Sequence, residues 1–329
     1  MTPPSTESDM SPPAVVVISH GEDADGITCA ALLKRMKAAR PILVNYDDLK
    51  DALRSILPPL DELYFCDLNV REDLVEEIFR ITSFSRVTIV DHHPTTPGTL
   101  ERLEKAGAEV VYDPRDCASV LLYNRFRDEL GRKAGRMAAF ATWADQFEDG
   151  PIAEALLREY DRQSVQHEGL LLAHALSQRP TTEFRARVLE AISRLEPPHR
   201  TPGVPEAAME HLEGTATLIE TLTGKAKRLR VLAYMKADEG TSIGSVAGLI
   251  TDAMGTRVGV CYKLKGDLIN ISLRSIRGHP YHLGEITRRV ATGLGGFGGG
   301  HKRASGASIP GEALERFLEQ LDAELSSYN

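Results

Sequence analysis

The sequence predicts an α/β protein in which a larger domain with a parallel sheet is followed by a smaller α/β domain. Residues from about 14 to about 115 alternate short apolar runs with helical stretches, the pattern of parallel strands joined by crossover helices. The pattern changes near residue 230, where strand-like runs return and glycines accumulate towards residue 300. A length of 329 residues also favours two domains over one.

The elements of the larger domain follow from short apolar runs and from helical periodicity. Strands are predicted at 14–19, 42–46, 62–66, 86–90 and 109–112. Helices are predicted at 27–39, 71–81, 100–106 and 118–130, and a helical pattern runs from 136 to about 195. The helix at 71–81 is amphipathic, with Leu74, Val75, Ile78 and Phe79 on one face.

A proline-rich break separates this part of the chain from the rest. The segment 196–203 contains three prolines and a glycine, and 205–227 then recovers a helical pattern that could bridge two domains. Strands are predicted beyond it at 231–235, 256–263 and 268–274. We therefore predict a disordered polar tail at 1–13, a catalytic domain at 14–195, a linker at 196–227 and a smaller domain at 228–329.

The net charge, the cysteines and the absence of long apolar runs limit the kinds of protein that this chain could be. The net charge of -8 and a pI near 5.7 argue against a protein that coats long nucleic acid, but they allow a local basic pocket. The four cysteines form no Cys-x-x-Cys pair, so reduced and mostly buried thiols in a cytoplasmic protein are expected. The amino-terminal segment lacks the pattern of a signal peptide, and no apolar run approaches membrane-spanning length, so no membrane partner is expected.

Carboxylates and imidazoles follow three of the predicted strands directly. Because parallel strands end at one edge of a sheet, these side chains should meet in a single crevice. Like charges at close range repel strongly, and divalent metal would compensate them, which predicts a two-metal hydrolase site. The residues concerned are His20, Asp23 and Asp25 after the first strand, Asp67 after the third, and Asp91, His92 and His93 after the fourth.

Two further motifs extend the pattern into the second domain. The strand at 271–275 reads Ile-Ser-Leu-Arg-Ser, and the segment 293–306 is rich in glycine and contains Gly-Gly-Gly-His at 298–301. Glycines without Cβ atoms let backbone N–H groups converge on an anion, so we predict an anion-binding loop there. With the Asp-His-His triplet, these motifs make the chain resemble the DHH phosphoesterase superfamily, in the branch with a carboxyl-terminal DHHA1 domain.

The resemblance implies a role for each residue. His20 and Asp23 would hold one ion, Asp25 and His92 the other, and Asp67 would bridge the two. Asp91 would support the histidines, His93 would face the substrate phosphate, and Asp145 would be a later metal ligand. In the DHHA1 domain the resemblance implies that the substrate is bound by Arg274, Gly299, Gly300 and His301.

Two positions in this assignment stay open. The spacing from His20 to Asp23 is intermediate between the spacings usual in the superfamily, so either Glu22 or Asp23 could take the ligand place. Asp149 competes with Asp145 for the later ligand, since both lie in the same acidic stretch.

The predicted function is a phosphodiesterase or exonuclease with two Mn²⁺ ions, Mg²⁺ being possible, that hydrolyses short single-stranded RNA or DNA, or dinucleotides, to mononucleotides. One alternative is a RecJ-like exonuclease on longer single strands. Another is a non-catalytic, replication-associated module that binds nucleic acid. A pyrophosphatase is disfavoured, because relatives with that activity carry a different carboxyl-terminal domain from the one that Gly-Gly-Gly-His indicates.

Overall fold

The computed structural model describes residues 14–238, 242–276 and 278–328, so the tail predicted at 1–13 lies outside the described residues. The chain divides into two compact units, Met1–Leu212 and Glu213–Asn329. The division falls inside the long helix that follows the proline-rich break.

The first unit contains a five-stranded sheet in which every pairing is parallel, as predicted. Its order is β2-β1-β3-β4-β5, so the chain reverses its direction of winding between β1 and β3. In open α/β sheets, the crevice at such a reversal is where ligands bind. The strands are β1 (Val15–His20), β2 (Arg40–Val44), β3 (Glu62–Cys66), β4 (Arg86–Asp91) and β5 (Glu109–Tyr112).

Ten helices begin within the described part of this unit. Short 3₁₀ turns occur at Glu72–Leu74 and Pro198–Arg200. The helices are α1 (Ala24–Lys37), α2 (Leu49–Arg54), α3 (Val75–Thr82), α4 (Thr99–Lys105), α5 (Ala118–Arg125), α6 (Arg127–Ala144), α7 (Pro151–Leu157), α8 (Arg162–Gln178), α9 (Thr182–Ser193) and α10 (Val204–Lys225).

Two of the predicted elements need correction. The single helix predicted at 118–130 is two helices, because Phe126 leaves helical geometry with φ of -117° and ψ of 28°. The strand predicted at 42–46 ends at Val44, which leaves Asn45 and Tyr46 beyond the carboxyl end of β2. Tyr46 is therefore placed at the edge of the sheet where the predicted site lies.

Alternation along β1 builds a core on each face of the sheet. Val15 and Val17 pack in one cluster with residues of α1, α5 and α6, while Val16 and Ile18 pack in the other with α2 and α3. Successive strand residues point to opposite faces, so a strand covered on both sides is apolar throughout. This two-sided burial holds the carboxyl ends of the strands in fixed positions.

The second unit contains a six-stranded mixed sheet of order β10-β11-β9-β8-β7-β6, in which only β7 and β8 pair in parallel among the described strands. Helices α12 and α13 pack on one face, and α11 packs on the other. The elements are β6 (Lys227–Arg228), β7 (Leu232–Lys236), α11 (Ile243–Ala253), β8 (Val258–Lys265), β9 (Leu268–Ser275), α12 (Leu283–Gly293), β10 (Phe297–Gly300), β11 (Ala304–Pro310) and α13 (Leu314–Ser326).

The glycine-rich segment contains a strand of the second sheet. Residues 297–300 form the edge strand β10, which pairs with β11 in an antiparallel hairpin. The N–H groups of Gly295 and Gly296 donate to carbonyls at the end of α12, and the N–H of His301 donates to the Ala304 carbonyl. The glycines serve close packing here, since a Cβ on Gly284 would lie 2.2 Å from the Gly300 carbonyl oxygen.

All four cysteines are free and buried. Over the parts of the chain that the structure describes, none of the helices combines the length and apolar character needed to cross a membrane.

One buried carboxylate fastens α13 to the start of β7, and its removal should destabilise the second unit. Asp322 accepts hydrogen bonds from the backbone N–H groups of Arg230, Val231 and Leu232 at 2.9–3.2 Å. Asp322→Ala leaves these donors without their partner and should lower the free energy of unfolding by on the order of 3 kcal/mol. Urea unfolding measures this, with Glu319→Ala on the exposed face of α13 as the control. Equal stability of the two variants would contradict the assignment.

Candidate metal centre at the carboxyl edge of the parallel sheet

The first motif places a histidine and an aspartate side by side at the end of β1. Asp23 is the N-cap of α1, and its Oδ1 accepts from the backbone N–H groups of Asp25 and Gly26, both at 3.1 Å. Its Oδ2 lies 2.8 Å from Nδ1 of His20. Gly26 is required at this turn, because a Cβ there would lie 2.3 Å from the His20 carbonyl oxygen.

Asp25 is fully buried in the first turn of α1 and is held by another helix. Its Oδ2 accepts from the N–H of Ala118 at 2.7 Å, and its Oδ1 accepts from the N–H of Ser119 at 2.9 Å. These two amides open α5, where a helix end has unpaired N–H groups and favours negative charge. The carboxylate is therefore fixed in orientation while each oxygen keeps a lone pair.

Asp67 lies at the centre of the site, directly after β3. Its φ of +56° is left-handed, a conformation uncommon outside glycine and most often tolerated by Asn and Asp. Its Oδ1 is 3.2 Å from Nε2 of His92, and its Oδ2 is 3.7 Å from Nδ1 of His20. The side chain is 2% exposed, so this carboxylate is directed inward between the ends of β1 and β4.

The Asp-His-His triplet turns away from the end of β4 with its two histidines in different settings. Oδ1 of the buried Asp91 lies 2.8 Å from Nδ1 of the half-buried His93. His92 is buried instead, with its Nε2 facing Asp67, and the ring of Phe147 packs edge-on against it at 4.6 Å. Asp91 thus orients His93, while His92 faces the carboxylates.

Asp145 joins the site from the end of α6. Its Oδ2 lies 3.8 Å from Nε2 of His92. Within the described residues, Asp149 and Glu22 belong to none of the groups that bring three potential metal ligands together. Glu22 is 3.9 Å from His20 Nε2 and also 3.6 Å from Arg185, so it lies at the rim.

The potential ligand atoms form three overlapping groups, and within each group the atoms lie within 4.8 Å of one another. Asp67 and His92 each belong to two of these groups. Several buried atoms in these groups have no hydrogen-bond partner among the described residues, which is costly unless something else occupies them. They are Asp67 Oδ2, His92 Nδ1 and Asp145 Oδ2. Carboxylates suit Mn²⁺ and Mg²⁺, and imidazoles add nitrogen ligands of the kind that bind first-row transition ions, so the residues fit divalent metal. The groups are Asp67, His92 and His93; His20, Asp23 and Asp67; and Asp25, His92 and Asp145.

Burial and neighbouring charges raise the pKa values of several side chains in the site. Burial, together with the charges of Asp25 and Asp23, raises the pKa of Asp67 well above its ordinary value and that of Asp145 to about 9. Burial disfavours the charged form of His20, yet hydrogen bonds and charges from Asp23 and Asp67 outweigh it and raise its pKa to about 10. The site therefore retains protons that a divalent ion would replace.

Sequence reasoning missed Tyr46, which borders the same site. Its hydroxyl lies 3.4 Å from Nε2 of His93, and its ring centroid is 5.6 Å from that of His20. Burial and then the nearby carboxylates raise its pKa to about 12, so the hydroxyl keeps its proton. The available signal was its position after an apolar strand, the same rule that identified the other residues.

The predicted substrate-binding residues lie together at one end of the second sheet. Arg274 on β9 is opposite Ala304, and Gly300 is opposite Ser305, so the turn that carries His301 lies near Arg274 in the sheet register. Arg274 donates to the Ser272 hydroxyl and to the Leu273 carbonyl, and burial lowers its pKa.

Comparison with known families gives two matches along the chain. The sequence model of the DHH family, N-terminal domain, matches residues 14–144, and that of the DHHA1 domain matches residues 230–327. Together they account for more than two thirds of the chain. Among curated proteins, the uncharacterised protein MJ0831 of Methanocaldococcus jannaschii is 31% identical over 101 residues. That match spans 30% of this chain and only 22% of the relative.

Solved structures share the fold over nearly the whole chain. The DHH domain of a protein described as belonging to a family of ribosomal proteins has a TM-score of 0.66 at 16% identity, covering 95% of this chain and 86% of its own. Exonuclease RecJ bound to manganese has a TM-score of 0.63 at 17% identity, covering 97% and 91%. The pGpG-specific phosphodiesterase PggH from Vibrio cholerae has a TM-score of 0.58 at 14% identity, covering 96% and 100%.

Proposed function

Since the chain belongs to the DHH/DHHA1 phosphoesterase superfamily, we propose that it is a metal-dependent phosphodiesterase that cleaves short single-stranded oligonucleotides or linear dinucleotides to mononucleotides. The superfamily predicted from the sequence is thereby confirmed, and among the similar structures RecJ is an exonuclease bound to manganese and PggH is a pGpG-specific phosphodiesterase. The observation that carries the proposal is the set of three ligand groups that share Asp67 and His92.

The residues of the site are proposed to bind two divalent ions. Two divalent ions, when bound, would lower the pKa of a water and neutralise charge on the phosphate. His20 and Asp23 would hold one ion and Asp25, His92 and Asp145 the other, since each set lies within one group of atoms. Asp67 would be shared, because it groups with His20 and Asp23 and also with His92. Mn²⁺ is proposed first, and Mg²⁺ second, because both suit this set of donors.

His93 is proposed to contact the substrate phosphate. Burial disfavours its charged form, but the hydrogen bond and charge of Asp91 outweigh this and raise its pKa. With Nδ1 held by Asp91, a protonated His93 presents its Nε2–H to a phosphoryl oxygen as a charge-assisted donor. Tyr46, whose hydroxyl neighbours that nitrogen, helps to fix the ring.

The second unit is proposed to take part in binding the substrate. Arg274 and His301 are the candidates for its second phosphate or its terminus, and Gly299 and Gly300 would allow close approach of the backbone. The support is that β9 and the β10–β11 turn bring these residues to one end of the second sheet.

The test is digestion of 5′-labelled RNA and DNA of two, five and about twenty nucleotides with Mn²⁺. We expect mononucleotide products, fastest release from the shortest substrates, and none from Asp91→Ala, because His93 then loses the carboxylate that orients it. Equal rates at all lengths would favour the RecJ-like alternative on longer strands. Stoichiometric binding without turnover under any divalent ion would favour a non-catalytic module, which the complete set of ligands opposes.

A further inference from the structure

A cavity of about 410 Å³ lies in the first unit beside the candidate metal centre. It is bounded by the carboxyl end of β2 and by α9, and its volume lies within the range of about 300–1,000 Å³ that is usual for small-molecule sites. Leu43, Val44 and Leu189 give it an apolar wall, and Asn45 and Arg185 add polar groups. Nothing in the function proposed above uses this space.

The cavity adjoins the first motif. Gly21 lines it and directly follows His20, so the cavity wall begins one residue, or about 4 Å of chain, from a proposed metal ligand. Gly21 packs tightly there, since its N–H donates to the Val44 carbonyl at 2.9 Å and a Cβ on it would lie 2.9 Å from that of Leu43. Arg185 also lines the cavity and lies 3.6 Å from Glu22, which in turn lies 3.9 Å from Nε2 of His20, so the cavity and the proposed metal ligand are neighbours in space.

Arg185 supplies a donor without an acceptor. Its side chain is 20% exposed, and its buried Nε has no hydrogen-bond partner among the described residues. A buried N–H left unpaired is costly, so an acceptor on a ligand would be stabilising. Its Nη2 already lies 3.6 Å from Glu22, which offsets part of the positive charge.

The charges around the cavity favour a neutral occupant over a phosphate. Asp48 and Glu190 also line it. Glu190 is paired with Lys34, so the Asp48 carboxylate, together with an arginine that Glu22 partly neutralises, leaves little positive charge to attract an anion. The same carboxylates can accept hydrogen bonds from amino or hydroxyl groups. A nucleobase with its ribose has such donors, together with oxygens for Arg185 and an apolar face for Leu43 and Leu189.

We propose that this cavity binds the nucleoside next to the phosphodiester that lies at the metal centre. Arg185 donates from Nε to an oxygen of the base or ribose, and the apolar wall packs against the base. The inference rests on the proposed function and deepens it, because it assigns recognition of the nucleoside to the first unit.

Two substitutions on α9 test the proposal. Ala186→Phe fills the cavity from an exposed helix position, and Arg185→Met removes the unpaired donor and the rest of the guanidinium group while keeping an unbranched side chain that reaches as far as Nε. Their matched controls are Glu183→Phe and Arg187→Met, on the same helix but outside the cavity lining. The substrates are a dinucleotide and bis(4-nitrophenyl) phosphate, a phosphodiester without a nucleoside, each with Mn²⁺.

We expect KM for the dinucleotide to rise at least about tenfold in both cavity variants, as for the loss of one good contact. Hydrolysis of bis(4-nitrophenyl) phosphate should stay near the wild-type rate, and the control variants should match wild type on both substrates. An unchanged KM in Ala186→Phe overturns the proposal, and so does an equal loss on both substrates, since that would place the effect at the metal centre.

Failure of the proposed function would be recognised separately. If wild type cleaves neither phosphodiester, calorimetric titration with AMP decides the matter without catalysis. Weaker AMP binding by Ala186→Phe than by Glu183→Phe supports the cavity as a nucleoside site, and equal binding or none by wild type overturns it.

Discussion

Asp67→Asn should abolish metal-dependent hydrolysis and at the same time stabilise the metal-free protein. The carboxylate belongs to two of the three ligand groups, and substitution of even the outer partners of metal ligands typically costs about 10–100-fold. We therefore expect a loss of at least about 100-fold in kcat. The stability gain follows because burial and the charges of Asp25 and Asp23 disfavour the ionised form of Asp67, as its raised pKa indicates.

The two effects are measured by steady-state hydrolysis with Mn²⁺ and by thermal unfolding in EDTA. Asp51→Asn is the control, since it makes the same change on a side chain that is 86% exposed on α2. Retained activity would remove Asp67 from the centre. A lower melting temperature in EDTA would show that the carboxylate stabilises the metal-free protein, contrary to its raised pKa.

Removal of metal should make stability fall as the pH rises. The pKa of His20 is raised from 6.5 to about 10, so its stabilising contribution is complete below pH 6.5 and is lost as the pH approaches 10. The pKa of Asp145 is raised from 3.8 to about 9, so the folded state is penalised increasingly as the pH rises between these values. Both groups give the same sign, so the melting temperature in EDTA should be several degrees lower at about pH 9 than at pH 6.5.

Divalent ions should counteract this loss of stability at higher pH. Ligands must lose their protons to bind metal, so the rise in melting temperature on adding Mg²⁺ should be larger at the higher pH. Thermal unfolding at both pH values, with EDTA and with Mg²⁺, gives the four melting temperatures to be compared. Asp145→Asn should reduce the dependence of the melting temperature on pH in EDTA. A metal-free protein that is more stable at the higher pH would contradict the charge balance described for the site.

The fold and most of the site were predictable because one rule links them. Apolar runs that alternate with helices imply parallel strands, and parallel strands end at one edge, so His20, Asp67 and His92 had to meet. The sequence does not determine which of these residues binds which ion, because the same atoms can be grouped around more than one ion. The roles of the individual residues are therefore proposals.

Three features were not predicted from the sequence, each for a different reason. Glycine is disfavoured in strands, yet Phe297–Gly300 forms one because β11 offers a partner along its whole length. Tyr46 was counted within a strand that ends at Val44. No sequence pattern around Arg185 indicates a site. Its position becomes evident only in the fold, where α9 brings it to within 3.6 Å of Glu22, which lies far earlier in the chain.

The hydrogen bonds from the start of α5 to Asp25 have a consequence for the order in which the site forms during translation. His20 and Asp23 are three residues apart and can pair as soon as they emerge, but the amides that fix Asp25 come 93 and 94 residues later. At about 5–20 residues per second, roughly 5–20 s of translation separate the carboxylate from these donors. A nascent chain thus carries its first metal ligands well before the helix that orients Asp25. A complete metal centre forms only after α5, and then Asp145 at the end of α6, have left the ribosome and folded.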